Sequence, residues 1–276
     1  MSLDETATRR HENLHRLCCE LSACVPPPAV APTINAQKLA AGLPLAHATS
    51  HKNIEAICDS GHLKSMQTLI DEGLLNLRPD CAETILGTVN AVFFYVGGFS
   101  YPATTFGFLF KSSLEAENQS DGSATPFDSG GLVKYFQWPN KPAESPSQFF
   151  ARHELPIPEH RHYLSLSMDN LYADPHNSLD PTAPGLKANP IGLAGGDPRR
   201  CWTHEVRIPG RVALRSAQLL AVFAPKARVG AFPQVRKLFT WCLTNRVDRE
   251  YFDDIGGDEF SGLRSACLDY LRKQIY

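Results

Sequence analysis

Two histidines near the start of the chain have the spacing of a helical zinc site. Residues 11–15 read HENLH, and on a helix His11 and His15 would share one face with Glu12 positioned as a general base. Three arginines lie within two residues of this motif, and their positive charge disfavours a divalent cation. The favoured interpretation is a solvated helix face, and a zinc-dependent hydrolase is the weaker alternative.

A second pattern places one carboxylate in the middle of an apolar strand. Residues 201–208 read CWTHEVRI and follow an interval rich in glycine and proline at 174–200. Strand alternation puts Thr203, Glu205 and Arg207 on one face. Burying an unpaired carboxylate is costly, so this segment predicts either a cross-strand ion pair or a functional role for Glu205, and the residues alone leave both open.

A third pattern joins a short strand to a helix at residues 45–63, LAHATSHKNIEAICDSGHL. His47 and Thr49 are the polar side chains of the strand, Ser50 is a candidate helix cap, and Gly61 is the expected stop. A ligand-binding edge and an ordinary strand end both fit this pattern.

Two further histidines, His160 and His162, invite a metal assignment. Their spacing of two suits a strand, whereas the surrounding pattern is helical, and no cysteine or carboxylate cluster follows at ligand spacing. We therefore interpret them as surface histidines.

The composition is that of a globular protein in a reducing compartment. The chain has 276 residues, 43% of them hydrophobic, and a formal net charge of -2, which gives no overall attraction to a polyanion. Its eight cysteines form no CxxC pair, which favours reduced thiols in a cytoplasmic protein. No segment has the uninterrupted apolar length of a membrane span.

The order of elements predicts an α+β fold. A helix at 4–24 and a proline-rich spacer predict an arm at 1–32, followed by a single domain at 33–276. Strands are predicted at 44–49, 89–96, 104–110, 201–208 and 217–223. Helices are predicted at 50–60, 64–72, 131–137, 146–153, 159–172, 232–242 and 257–274, with a polar loop at 113–130. Strands at such unequal intervals disfavour a doubly wound parallel sheet.

Taken together, three segments resemble the His-Tyr-Glu class of ADP-ribosyltransferases. These are the strand with His47 and Thr49, the aromatic strand at 89–96, and the late strand with Glu205. The first looks most like the DarT branch, in which a His-x-Thr strand precedes a helix with an Asn-Ile or Asn-Leu pair and a Gly-Leu-type stop. The matching residues are His47, Thr49, Asn53, Ile54, Gly61, His62 and Leu63.

The resemblance implies a split, mostly antiparallel β core that binds NAD as co-substrate. His47 would bond the adenosine ribose, the backbone of Ala48 the nicotinamide amide, and Thr49 would support that edge. Tyr95 or Tyr101 would stack on the nicotinamide ring.

The same resemblance implies the reaction and its participants. Glu205 would bond the nicotinamide ribose and stabilise the oxocarbenium as nicotinamide leaves. Thr203 stands where the arginine-modifying class has a second glutamate, so the activity implied is mono-ADP-ribosylation of another acceptor, DNA, RNA or protein. A toxin with an antitoxin or immunity partner would fit this branch. The alternative is a module that binds NAD, ADP-ribose or another nucleotide without chemistry.

Two further assignments concern the NAD phosphates and the acceptor. Candidates for an NAD-phosphate contact are Lys64, Arg199 and Arg200. Acceptor contacts are expected on the loops at 113–130 and 174–198, because substrate choice commonly depends on loops.

Overall fold

The computed structural model of the chain describes residues 31–99, 105–130, 133, 145–171 and 204–275. The predicted arm helix at 4–24, the zinc-like motif of His11, Glu12 and His15, and the interval at 174–200 lie outside these residues.

The described helices and strands alternate irregularly along the chain. The helices are α1 Ile34–Gly42, α2 His51–Ser60, α3 Met66–Asp71, α4 Ala82–Leu86, α5 Ser113–Glu117, α6 Pro146–His153, α7 Ile157–Leu171, α8 Lys226–Val229, α9 Pro233–Thr244 and α10 Glu259–Ile275. The strands are β1 Leu45–Thr49, β2 His62–Lys64, β3 Ala91–Val96, β4 Phe106–Phe110, β5 Ser123–Thr125, β6 Leu155–Pro156, β7 Glu205–Pro209, β8 Arg211–Ala213, β9 Leu219–Pro225 and β10 Asp248–Phe252. The predicted α+β class is confirmed.

The described residues gather into two compact units. The first unit contains the described residues 31–42, 78–88, 122–130, 133, 145–171 and 204–205, and the second contains residues 43–77, 89–99, 105–121 and 206–275. Each unit draws on separate stretches of chain, so neither corresponds to a continuous segment that could be excised.

The second unit is built on a mostly antiparallel sheet. Its strands follow the order β10-β9-β4-β1-β3-β7. The pairs β9–β4, β4–β1 and β1–β3 are antiparallel, whereas β10 runs parallel to β9. A separate antiparallel pair joins β2 to β8. Helix α2 packs against α9 beside this sheet.

Strand β4 is the centre of the second unit's core. All five of its residues are buried, as expected for an aromatic and apolar sequence, FGFLF, with a strand on each side. Gly107 within it faces the ring of Phe99 so closely that a Cβ would overlap the ring. Glycine is therefore required there by a close approach of side chain to backbone.

The first unit is mainly helical. Helix α1 packs along α7, and Arg161 on α7 donates a hydrogen bond to the carbonyl of Ala40 at 2.7 Å. Helix α6 begins with a capping box in which Ser145 and Gln148 bond reciprocally. The short strands β5 and β6 pair with each other beneath α7.

Three sequence predictions are corrected by the described residues. The segment 113–130 is not a polar loop, because it contains α5 and β5 and buries Phe127, Asp128 and Ser129. The helix expected at 64–72 begins two residues later, after β2. His160 is not a surface residue, since it is 0% exposed.

The described residues contain neither a membrane-spanning helix nor a metal-binding cluster. No described helix combines the length and apolarity needed to cross a membrane. The same residues hold no group of three or more histidine, cysteine or acidic side chains arranged to bind a metal ion.

Candidate functional site

A cavity of about 410 Å³ lies at the end of β1 in the second unit. His47, Ala48 and Thr49 line it from the strand, and Asn53 and Ile57 line it from α2. The lining is largely apolar with a few polar groups, which is the usual composition of a site for a small organic ligand. The three residues predicted to contact NAD thus lie together on one cavity wall.

The local sequence explains why this wall exists. The strand ends at Thr49, and Ser50 adopts an extended conformation as the residue before α2. The helix ends at Gly61, whose φ of 67° lies in the left-handed region that glycine adopts without strain. Strand and helix are therefore joined by Ser50 alone, and residues of both line the cavity.

The sheet opens next to His47. Strand β1 pairs with β4 along its whole length, from Leu45 to Thr49. Its register with β3, all of whose residues are described, comprises only Leu45 and Ala46. On the β3 side, the backbone of His47, Ala48 and Thr49 has therefore left the ladder.

His47 is held in a defined tautomer at this opening. Its Nδ1 lies 2.9 Å from the carbonyl oxygen of Phe93, and only a protonated Nδ1 can make that bond. Burial lowers the pKa of His47 below its ordinary 6.5, although the bond to Phe93 acts in the opposite direction. The imidazole is therefore neutral at pH 7, and Nε2 is a hydrogen-bond acceptor.

Thr49 connects the strand to the helix. It is buried, and its hydroxyl oxygen accepts a hydrogen bond from the side chain of Asn53 at 3.1 Å. Because Asn53 also lines the cavity, this bond fixes the relative position of two walls.

Lys64 is the cation that lines the cavity among the described residues, and it is paired. Its Nζ lies 2.6 Å from Glu72, and Arg211 approaches the other oxygen of the same carboxylate at 3.8 Å. Arg199 and Arg200, the other candidates for a phosphate contact, lie outside the described residues.

Glu205 occupies a buried polar cluster of the first unit. It is 2% exposed. The Ser129 hydroxyl donates a hydrogen bond to Oε1 at 2.6 Å, and the Ser129 backbone N–H donates a longer one, 3.4 Å, to Oε2. Both oxygens thus receive a donor from one residue, and the short bond has the length of a charge-assisted contact.

His204, the residue before Glu205, belongs to a buried pair of imidazoles. Nε2 of His160 is 3.1 Å from Nδ1 of His204, and both rings are buried. The pKa of His204 lies well below 6.5, first because of burial and then because of His160 and Arg161. The His204 ring is therefore neutral at pH 7.

Comparisons with known proteins give a distant similarity among solved structures. No family model matches the chain, and no curated protein matches it in sequence. Among solved structures, the chain is similar to the DarT of Thermus sp. 2.9 in complex with NAD+, with 12% sequence identity and a TM-score of 0.39. That similarity covers 75% of this chain and 93% of the other.

The predicted tyrosines are placed less favourably than the strand residues. Tyr95 lies in β3 opposite Ala46 and is 5% exposed, and the residues that line the described cavity do not include it. Tyr101 lies outside the described residues.

Ser129 is the hydrogen-bond partner of Glu205 that the sequence did not predict. It lies in the stretch Asp128-Ser129-Gly130-Gly131, whose composition is typical of a turn and led to the prediction of an acceptor loop. The feature that indicates a buried segment is the apolar residue Phe127, which is buried and packs against Phe149 with ring centroids 5.6 Å apart.

Proposed function

We propose that the chain is an NAD-dependent mono-ADP-ribosyltransferase with an ADP-ribosyltransferase-like split β core. It transfers ADP-ribose to a macromolecular acceptor, DNA, RNA or protein, and releases nicotinamide. In this proposal Glu205 is the catalytic residue, and His47, Ala48 and Thr49 bind NAD together with Tyr95 or Tyr101.

The observation that supports this proposal is the opening of the sheet at His47. The strands separate at the three residues that the resemblance assigns to NAD, and a cavity lies against them. Nε2 of His47 is an acceptor suited to a ribose hydroxyl, since Nδ1 is bonded to Phe93. The backbone of Ala48, outside the β3 ladder, is suited to the donor and acceptor of a carboxamide.

The chemistry assigned to Glu205 follows from the reaction. The bond between the ribose anomeric carbon and the nicotinamide nitrogen breaks, and its electron pair leaves with the neutral nicotinamide. The ribose becomes an oxocarbenium ion, which a preorganised carboxylate stabilises. The acceptor nucleophile then forms the new bond to the anomeric carbon and loses its proton.

The state of Glu205 fits this role. The Glu205 side chain is buried and receives hydrogen bonds from Ser129 at both oxygens, and carboxylate oxygens accept hydrogen bonds from hydroxyl donors. A ribose hydroxyl is such a donor.

The test is nicotinamide release from NAD by the wild type and by Glu205→Gln, measured by chromatography with DNA, RNA or cellular protein as acceptor. We expect the variant to lose about 10²- to 10³-fold in rate, the usual cost of removing a group that stabilises transition-state charge. NAD binding, measured by calorimetry, should change by less than about threefold because the ribose contact is kept.

A matched control is Glu154→Gln, which makes the same change at an exposed glutamate of the first unit and should retain the wild-type rate. Equal rates for wild type and Glu205→Gln would refute the role of Glu205. If the wild type binds NAD but releases no nicotinamide with any acceptor, the chain is a binding module and the proposed activity is refuted.

The biological setting is also part of the proposal. A DarT-like activity would make the chain a toxin that is controlled by an antitoxin or immunity partner. Toxicity on expression that disappears in Glu205→Gln would support this role, whereas equal growth with both would contradict it.

A further inference from the structure

The catalytic glutamate proposed above is held by a residue that is distant in sequence. Ser129 and Glu205 are separated by 76 positions, and each is 2% exposed. One side chain and one backbone group of Ser129 contact both oxygens of the carboxylate. Such a two-point contact fixes the plane of a carboxylate, which a single hydrogen bond does not.

The segment that carries Ser129 is itself rigidly packed. The Thr125 hydroxyl donates to the carbonyl of Phe127 at 2.9 Å and closes a tight turn just before Ser129. Phe127 packs against Phe149 and His153 on α6, with ring centroids 5.6 and 5.9 Å away. Ser129 therefore has little freedom to move away from the carboxylate.

A glutamate side chain must be fixed by its contacts to keep one orientation. A glutamate side chain has three rotatable bonds and loses substantial conformational entropy when it is fixed. A catalytic carboxylate must be held within about 0.5 Å of its productive position.

We propose that Ser129 is a positioning residue for the transfer reaction, and that its hydroxyl holds the Glu205 carboxyl group in one orientation before NAD binds. This inference rests on the proposed function. Ser129 acts through Glu205, so its loss should lower the rate of nicotinamide release and leave NAD binding nearly intact.

The test compares Ser129→Ala, Ser129→Thr and Ser129→Cys in the full-length chain. For Ser129→Ala we expect kcat for nicotinamide release to fall by about 10- to 100-fold, with KM for NAD within about twofold. Ser129→Thr keeps the hydroxyl and should recover much of the loss. Ser129→Cys, nearly the same size but a weak donor, should resemble Ser129→Ala.

Ser165→Ala is the matched control. Ser165 is also buried in the first unit, and its hydroxyl donates to the carbonyl of His162 at 2.7 Å. The Ser165→Ala substitution removes a buried hydroxyl without touching Glu205, so its kcat should remain within about twofold of wild type. Thermal unfolding measurements first establish that both alanine variants are folded.

A second readout does not require turnover. With 13C-labelled glutamate, the carboxyl resonance of Glu205 is assigned from its disappearance in Glu205→Gln. It should move in Ser129→Ala and stay in place in Ser165→Ala, because only the first loses the bond to the carboxylate.

The outcomes separate the two proposals. An active wild type with equal kcat in Ser129→Ala and Ser165→Ala refutes the positioning role alone. An unmoved Glu205 resonance in Ser129→Ala refutes the hydrogen bond on which that role depends. A wild type that releases no nicotinamide with any acceptor refutes the proposed function, and the positioning role with it.

Discussion

His47 illustrates how one hydrogen bond determines what a side chain can recognise. Because Nδ1 is bonded to Phe93, Nε2 is left as an acceptor, which the proposed function assigns to a ribose hydroxyl. An asparagine at this position can reproduce the Nδ1 donor but has no group at Nε2. The two functions of the imidazole can therefore be separated by one substitution.

We expect His47→Asn to bind NAD about 5- to 10-fold more weakly, the cost of one neutral hydrogen bond. Calorimetric titration measures this, and urea unfolding of the same variant should differ little from wild type. His47→Gln, which can place its amide near Nε2, is the comparison variant and should bind more tightly than His47→Asn. If both variants bind NAD like the wild type, the ribose contact is wrong.

At this scale a local sequence pattern carries more information about neighbouring residues than about distant ones. His47, Ala48 and Thr49 are adjacent in the chain, and all three line one cavity, while their role in binding NAD stays a prediction. The bond between Ser129 and Glu205 joins positions 76 residues apart, and no local pattern encodes it. The burial of His160 was missed because its partner, His204, comes from a distant segment.

Among the elements, β4 shows how tightly the sheet of the second unit is packed. Phe99 is 2% exposed, and its ring occupies the space above Gly107 that a side chain would need. The free energy of unfolding should depend on this single missing methyl group.

Gly107→Ala should lower the free energy of unfolding by about 1–3 kcal/mol, the usual cost of overpacking a core. Gly98→Ala is the matched control, since a Cβ there meets nothing within 4 Å and its φ is not in the left-handed region. Urea unfolding followed by circular dichroism measures both. Equal midpoints for the two variants would mean that Phe99 can move aside without cost.

Element boundaries were predicted best where capping residues mark them. The helix expected at 50–60 is observed at His51–Ser60, because Gly61 supplies a clear stop. The segment 113–130 was predicted poorly, since its many polar residues conceal a helix, a strand and a buried turn. Tertiary packing, rather than local preference, determines the structure of such short elements.

The whole molecule should be sensitive to mild acid because of its buried imidazoles. Above the ordinary pKa of 6.5, His204 is neutral in both the folded and the unfolded chain. As the pH falls below 6.5, His204 binds a proton in the unfolded chain but not in the folded chain. The free energy of unfolding therefore decreases until the pH reaches the lowered pKa of His204. His47 acts in the same direction.

Urea unfolding at pH 7.5 and pH 5.0 checks this expectation. The wild type should lose stability over this range, by at most about 1.4 kcal/mol for each pH unit from His204. His204→Asn keeps a polar group opposite His160 but does not titrate, and its loss should be smaller. An equal decrease in both proteins would assign the acid sensitivity to other groups.

The outermost described strand of the second unit's sheet, β10, has a further consequence. The interior strands of this sheet are aromatic and aliphatic. An edge strand of the same composition could pair with a strand of another chain and begin aggregation. The outermost strand instead carries three consecutive charged residues, Asp248, Arg249 and Glu250, of which Asp248 is exposed and the other two are partly exposed. An incoming strand would have to remove water from these charged groups, so we expect this sequence to disfavour aggregation along β10.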